Sequence, residues 1–134
     1  KLRKRFSMLA HDRFIHSDDT ESAVNITWFH QSGFAMQKEH WHSHHAATLG
    51  YLLQEKAPDS PALLCLFHAG EEQIEFQLPD IDTIDHWQVF IDTTACDTTA
   101  SGTTNSVEQS ELRSIPADRM ITMAPFSTIV LLND

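Results

Sequence analysis

A chain of 134 residues is long enough for one domain that buries roughly two-thirds of the surface its unfolded form exposes. Its 41% hydrophobic content suits a globular protein, and no apolar run approaches the ~20 residues that a membrane-spanning helix requires, so no membrane partner is expected. Nineteen acids stand against nine bases, and four of those bases (Lys1, Arg3, Lys4 and Arg5) crowd the amino terminus, so like-charge repulsion argues against nucleic acid as a partner.

In chain order, Leu2, Phe6 and Leu9 recur at i, i+4 and i+7, which predicts a short helical segment with one apolar face. Such a segment is marginal alone and needs something to pack against. From residue 24 the period changes to two. Val24, Ile26 and Trp28 alternate with Asn25 and Thr27, predicting a first strand with Trp28 directed inward. Residues 31–33 supply a turn, residues 36–41 a helical turn, and residues 48–53 a second strand. Pro58 and Pro61 bracket a loop. The run 62–67 is apolar at every position, as befits a central strand covered on both faces.

Residues 68–72 then read as a hairpin loop leading to the strand 73–78, where Ile74, Phe76 and Leu78 face in while Gln73, Glu75 and Gln77 face out. Trp87, Val89 and Ile91 mark another inward-facing series. The Thr-rich stretch 93–109 has no apolar period and predicts a long, mobile loop. Residues 111–115, 120–124 and 127–132 complete the set, with Pro116 and Pro125 at breaks. The expectation is therefore an all-β fold: an antiparallel β-sandwich of about seven or eight strands with a short N-terminal helical segment.

Motifs for chemistry are sparse. The stretch His40-Trp41-His42-Ser43-His44-His45 offers imidazoles, and His40, His42 and His44 are the candidates for a metal site. No Cys pair or HExxH helix accompanies them, so a solvated His-rich loop is the simpler reading and no metal or other cofactor is expected. A cupin would want a Glu soon after an HxH pair, where Ala46, Ala47 and Thr48 stand instead. The acids Asp18, Asp19, Glu71, Glu72, Asp80, Asp82 and Asp85 fall in turns or loops, where solvated charge is the ordinary explanation, and none is nominated as catalytic. There is no GxSxG elbow and no Gly-rich phosphate loop. Core packing accounts for Trp28 and Trp87. Trp41, outside the strands, is expected to plug an end of the sandwich, with contact to a carbohydrate as the alternative. Cys65 lies in the apolar run and Cys96 in the Thr-rich stretch, which suggests buried thiol rather than disulfide and hence a cytoplasmic setting. No signal-peptide core is visible.

The order of these pieces resembles the C-terminal domain of bacterial glycogen-debranching enzymes, the isoamylase-like members of the α-amylase clan. Residues 25–29 followed by Gly33 look like that family's "ITW…DG" strand and turn, and residues 36–41 look like its "MT..DW" segment. Residues 49–53 look like "LGxLL", residues 63–69 like "LLLLFNA", residues 76–79 like "F.LP", and residues 87–93 like "W.LVLDT". Ala124-Pro125-Phe126-Ser127 leading into residues 129–132 is similar to the family's closing strand, and residues 2–14 resemble the join after the last helix of a catalytic barrel. The chain departs from the pattern at His40, where an acid is common before the Trp, and at His68, where Asn is common. The resemblance implies residues 1–20 as the end of a linker and residues 21–134 as the C-terminal β-sandwich. It also implies a (β/α)8 barrel of the same polypeptide as partner. That barrel would carry the two Asp and one Glu of a retaining α-1,6-glucosidase acting on α-glucan, so no catalytic residue falls on this sequence.

Overall fold

The computed structural model describes residues 4, 6–10, 21–57, 59–94 and 113–134. Eight strands are present among them: β1 (Val24–Phe29), β2 (Thr48–Glu55), β3 (Ala62–His68), β4 (Ile74–Gln77), β5 (His86–Asp92), β6 (Ser114–Pro116), β7 (Met120–Met123) and β8 (Ser127–Asn133). One helical turn, α1 (Lys38–Trp41), lies between β1 and β2. Six strands form a sheet in the order β1-β2-β3-β8-β5-β6, and β4 pairs with β7 in a second sheet of two. All neighbours are antiparallel. The expected all-β sandwich is present, with layers of unequal size.

The uniformly apolar sequence of β3 places it between β2 and β8, where both faces are covered. Leu64 and Leu66 face the small sheet and are wholly buried with Phe76, Leu78, Trp87, Met123 and Leu131. Each such side chain contributes about 1.5–3 kcal/mol by leaving water. Leu63 and Cys65 point the other way, into a second apolar cluster with Val24, Leu53, Val130, Leu132, Phe6 and Met8. The chain therefore has two cores, one on each face of the large sheet. We call the face toward β4 and β7 inner and the other outer.

The structure refines one expectation and corrects three others in the strands and their connections. The N-terminal segment is helical at Lys4 and makes a 3-10 turn at Ser7–Leu9, and Met8 joins Phe6 and Leu9 in packing against the outer face of this same chain. Residues 68–72 do not close a hairpin: β3 pairs with β2 and β8 while β4 belongs to the other sheet, so these residues cross between layers. A register shift between Val89 and Ile91 pairs Ile91 with outward-facing Val130, which leaves Ile91 exposed instead of inward. Pro116 sits within β6 opposite His86, on the sheet's edge strand where a missing N–H is tolerated. Residues 1–3, 11–20 and 95–112, with Leu2, Asp18, Asp19, Cys96 and most of the Thr-rich stretch, lie outside the described residues.

Two glycines explain local choices. Gly50 faces inward on β2, where an added Cβ would stand 2.9 Å from Phe76 Cζ and 3.1 Å from Leu66 Cδ2. Gly33 adopts φ +84 in the turn after β1, and a Cβ there would meet Gln77 Cγ at 2.9 Å. That close approach lets Gln77 N–H donate to the Gln31 carbonyl at 2.9 Å and ties the turn to the small sheet.

Candidate functional site

The part of the surface that packing does not explain lies on the outer face of β1, β2 and β3. Trp28 faces outward, not inward as the alternation suggested, because the outward phase of β1 is the one that carries Val24 and Ile26 into the second core. Its indole meets Trp41 edge-on, with centroids 5.6 Å apart and planes at 76°. On its other side it meets Tyr51, its cross-strand partner, at 5.5 Å and 59°. Tyr51 in turn stacks on Phe67 at 5.7 Å and 23°. A continuous row Trp41–Trp28–Tyr51–Phe67 results. Trp41 is 50% exposed and Phe67 37% exposed. Trp41 is therefore the outer end of this row and not a plug for the sandwich. Trp87, by contrast, is fully buried on the inner face, as expected, with its indole N–H unpartnered among the described residues.

Short-range bonds hold α1 so that Trp41 reaches Trp28. His40 Nδ1 accepts the Gln37 backbone N–H at 3.0 Å, the role that a Glu fills in an ordinary capping box. The His40 ring stacks on His30 at 4.1 Å and 19°. His30 Nδ1 accepts the Ser32 backbone N–H at 3.2 Å, and the His30 imidazole is held below its ordinary pKa, by burial first and by the neighbouring His40 second. His42, His44 and His45 follow on exposed backbone. Among the described residues no three His, Cys, Asp or Glu side chains are grouped so as to hold a metal ion.

His68 is built into the fold. It ends β3 buried, with Nε2–H donating to the Glu72 carbonyl at 2.6 Å. Since a carbonyl only accepts, the neutral ring carries its proton on Nε2, and Nδ1 accepts from the Thr48 hydroxyl at 2.9 Å. The imidazole thus fixes the crossing from the large sheet to the small one. Gly70 lies so close that a Cβ there would stand 2.6 Å from His68 Cε1.

Glu71, Glu72, Asp80, Asp82 and Asp85 are all exposed, the two Glu between β3 and β4 and the three Asp between β4 and β5. One groove at the Val24 end of β1 is lined by Glu55, Asp59 and Asp134 with Lys56 among them. A second, of about 200 Å³, opens at the seam between β5, β6 and β7 beside Arg113 and Arg119. No helix among the described residues is long and apolar enough to cross a membrane.

Sequence reasoning singled out Trp41 and the histidines but missed the row to which Trp41 belongs. Tyr51 and Phe67 become its neighbours only through the pairing of Trp28 with Tyr51 and of Tyr51 with Cys65, two residues from Phe67. No single strand encodes that register.

Comparison with known proteins bears on the whole arrangement. No curated protein matches the chain. The family model described as isoamylase, C-terminal, matches residues 25–118, which run from β1 through β6 and the turn beyond it. This chain belongs to the isoamylase C-terminal domain family.

Proposed function

We propose that this chain is the C-terminal β-sandwich of a glycogen-debranching enzyme that hydrolyses α-1,6 branch linkages in glycogen or its limit dextrins. The sandwich itself contributes structure and not chemistry. In this reading residues 1–20 finish the connection from a (β/α)8 barrel, and residues 21–134 pack on that barrel. The acids that cleave the glucan belong to the barrel, and the enzyme works in the cytoplasm without an organic cofactor. The observation that carries the reading is the family match over residues 25–118. A retaining glycosidase needs two carboxyl groups about 5–5.5 Å apart across the scissile bond. The experiment is a reducing-end assay on branched glucan with the 134-residue chain and with the enzyme that contains it. The enzyme should debranch and the chain should release nothing. Reducing ends released by the chain alone would overturn the assignment.

A second reading, a module that binds α-glucan, is favoured by one observation, the half-exposed Trp41. Affinity electrophoresis in glycogen tests it. Retardation that Trp41→Ala abolishes would favour the module, and unchanged mobility would favour the scaffold.

A further inference from the structure

We infer that the aromatic row Trp41–Trp28–Tyr51–Phe67 on the outer face is the surface on which the catalytic domain of the same polypeptide docks. This rests on the reading of the chain as an enzyme's C-terminal domain and adds which face makes the contact.

The first argument is continuity. The outer face is one apolar surface in two halves. Over Val24, Leu53, Leu63 and Leu132 it is closed by Phe6 and Met8, whose segment is also bonded to β2 through the Ser7 hydroxyl and the Glu55 carboxylate. Beyond Ile26 and Tyr51, which pack on that cluster, the same face continues as the open aromatic row. The residues that cover the closed half are those that lead back toward the rest of the enzyme. A domain joined through that segment adjoins the face that carries the aromatic row. The inner face is unavailable, because β4 and β7 cover it.

The second argument separates a protein from a sugar. A pyranose stacks on an aromatic face that is presented outward and free. Here successive planes lie at 76°, 59° and 23°, so the rings spend their faces and edges on one another. What remains outside is an apolar ridge whose most exposed members are its two ends, Trp41 and Phe67. Such a ridge fits between the side chains of a helix or loop, as interior packing does.

Hydroxyl-radical footprinting of the intact enzyme tests this directly, with each residue's native labelling rate compared with its rate in the same enzyme unfolded in urea. Met120, 54% exposed on the small sheet, serves as the reference for a surface residue close in exposure to Trp41. Trp41 and Phe67 should be protected several-fold more than Met120, with or without glucan. Protection of Phe34 and Phe126 instead would place the catalytic domain on another face and overturn this inference, while leaving the scaffold reading in place. Labelling of all these residues as freely as Met120 would overturn both. Protection of Trp41 that appears only when soluble branched glucan is added would identify a sugar site and also overturn the docking surface.

Discussion

The two faces of the six-stranded sheet are built from the same strands and end in different conditions. The inner face meets a second sheet, and side chains from all eight strands close around Leu64, Phe76 and Trp87 until none of these three retains exposure. Among the described residues the outer face meets only a short N-terminal segment, so part of it is sealed by Phe6 and Met8 and part ends in rings that touch solvent. A sheet that is apolar on both sides needs covers on both sides. The described residues supply one complete cover and part of another. The difference separates the residues that hold the domain together from those that are free to meet a neighbour.

The strongest way to break that comparison is to open the inner face. Phe76→Ala should cost about 3–5 kcal/mol, because β4 has few other inward groups and the space cannot collapse without moving the small sheet. Urea unfolding of the chain measures it. On the outer face, Met8→Ala should cost about 2 kcal/mol, the low end for such a truncation, since a terminal segment can settle into the gap. If Met8→Ala proves as costly as Phe76→Ala, the outer cluster is an equal core and the contrast fails. Gly50→Ala tests the inner packing from the opposite direction: the methyl group must displace the Phe76 ring, a loss of about 1–3 kcal/mol. A neutral result would mean that the two sheets are less closely apposed at that point.

Smaller effects sharpen the picture at one end of the sandwich. Thr48→Val leaves His68 Nδ1 without its donor and should lower stability by about 1 kcal/mol. Hydrogen exchange at Glu72 and Gln73 should rise with it, because the crossing between layers is loosened. The smallest effect is titration of His30. Its folded pKa lies below the unfolded value near 6.5, so the stability linked to the neutral ring is complete above that value and is lost as the pH falls through the folded one. The unfolding midpoint should therefore decline on acidification from about pH 7 to about pH 5, and His30→Gln should decline less over the same interval. Identical pH profiles for the two proteins would show that the stacked imidazoles at the Trp41 end contribute nothing to this dependence.

Much of this was legible in the sequence where one face of a strand is polar. In β4 the alternation of Ile74 and Phe76 with Glu75 and Gln77 gives orientation as well as extent. Where both faces are apolar the period loses its meaning. In β1, Val24, Ile26 and Trp28 share the outward phase, with Val24 and Ile26 in the outer cluster, while Phe29 belongs to the inner one, and nothing in the order of residues says which core is which. In β5 the irregularity between Val89 and Ile91 carries no Gly or Pro to announce it. The aromatic row was hidden for a related reason: its members lie on three strands and a helical turn, and only pairing brings them together. The histidine cluster, conspicuous in the sequence, resolves into separate tasks. His40 closes a helical turn against the Gln37 N–H, while His42, His44 and His45 stand in solvent.

Cys65 gives the outer face a chemical reporter of its own. It stands opposite Tyr51 in the β2–β3 ladder and is almost sealed from water, and burial pushes the thiol toward its protonated, unreactive form. Alkylation at this position must wait for the layer above it to lift. The rate at which iodoacetamide modifies Cys65 therefore times the breathing of that layer, and attachment to a larger body over the same surface would register as a slower clock.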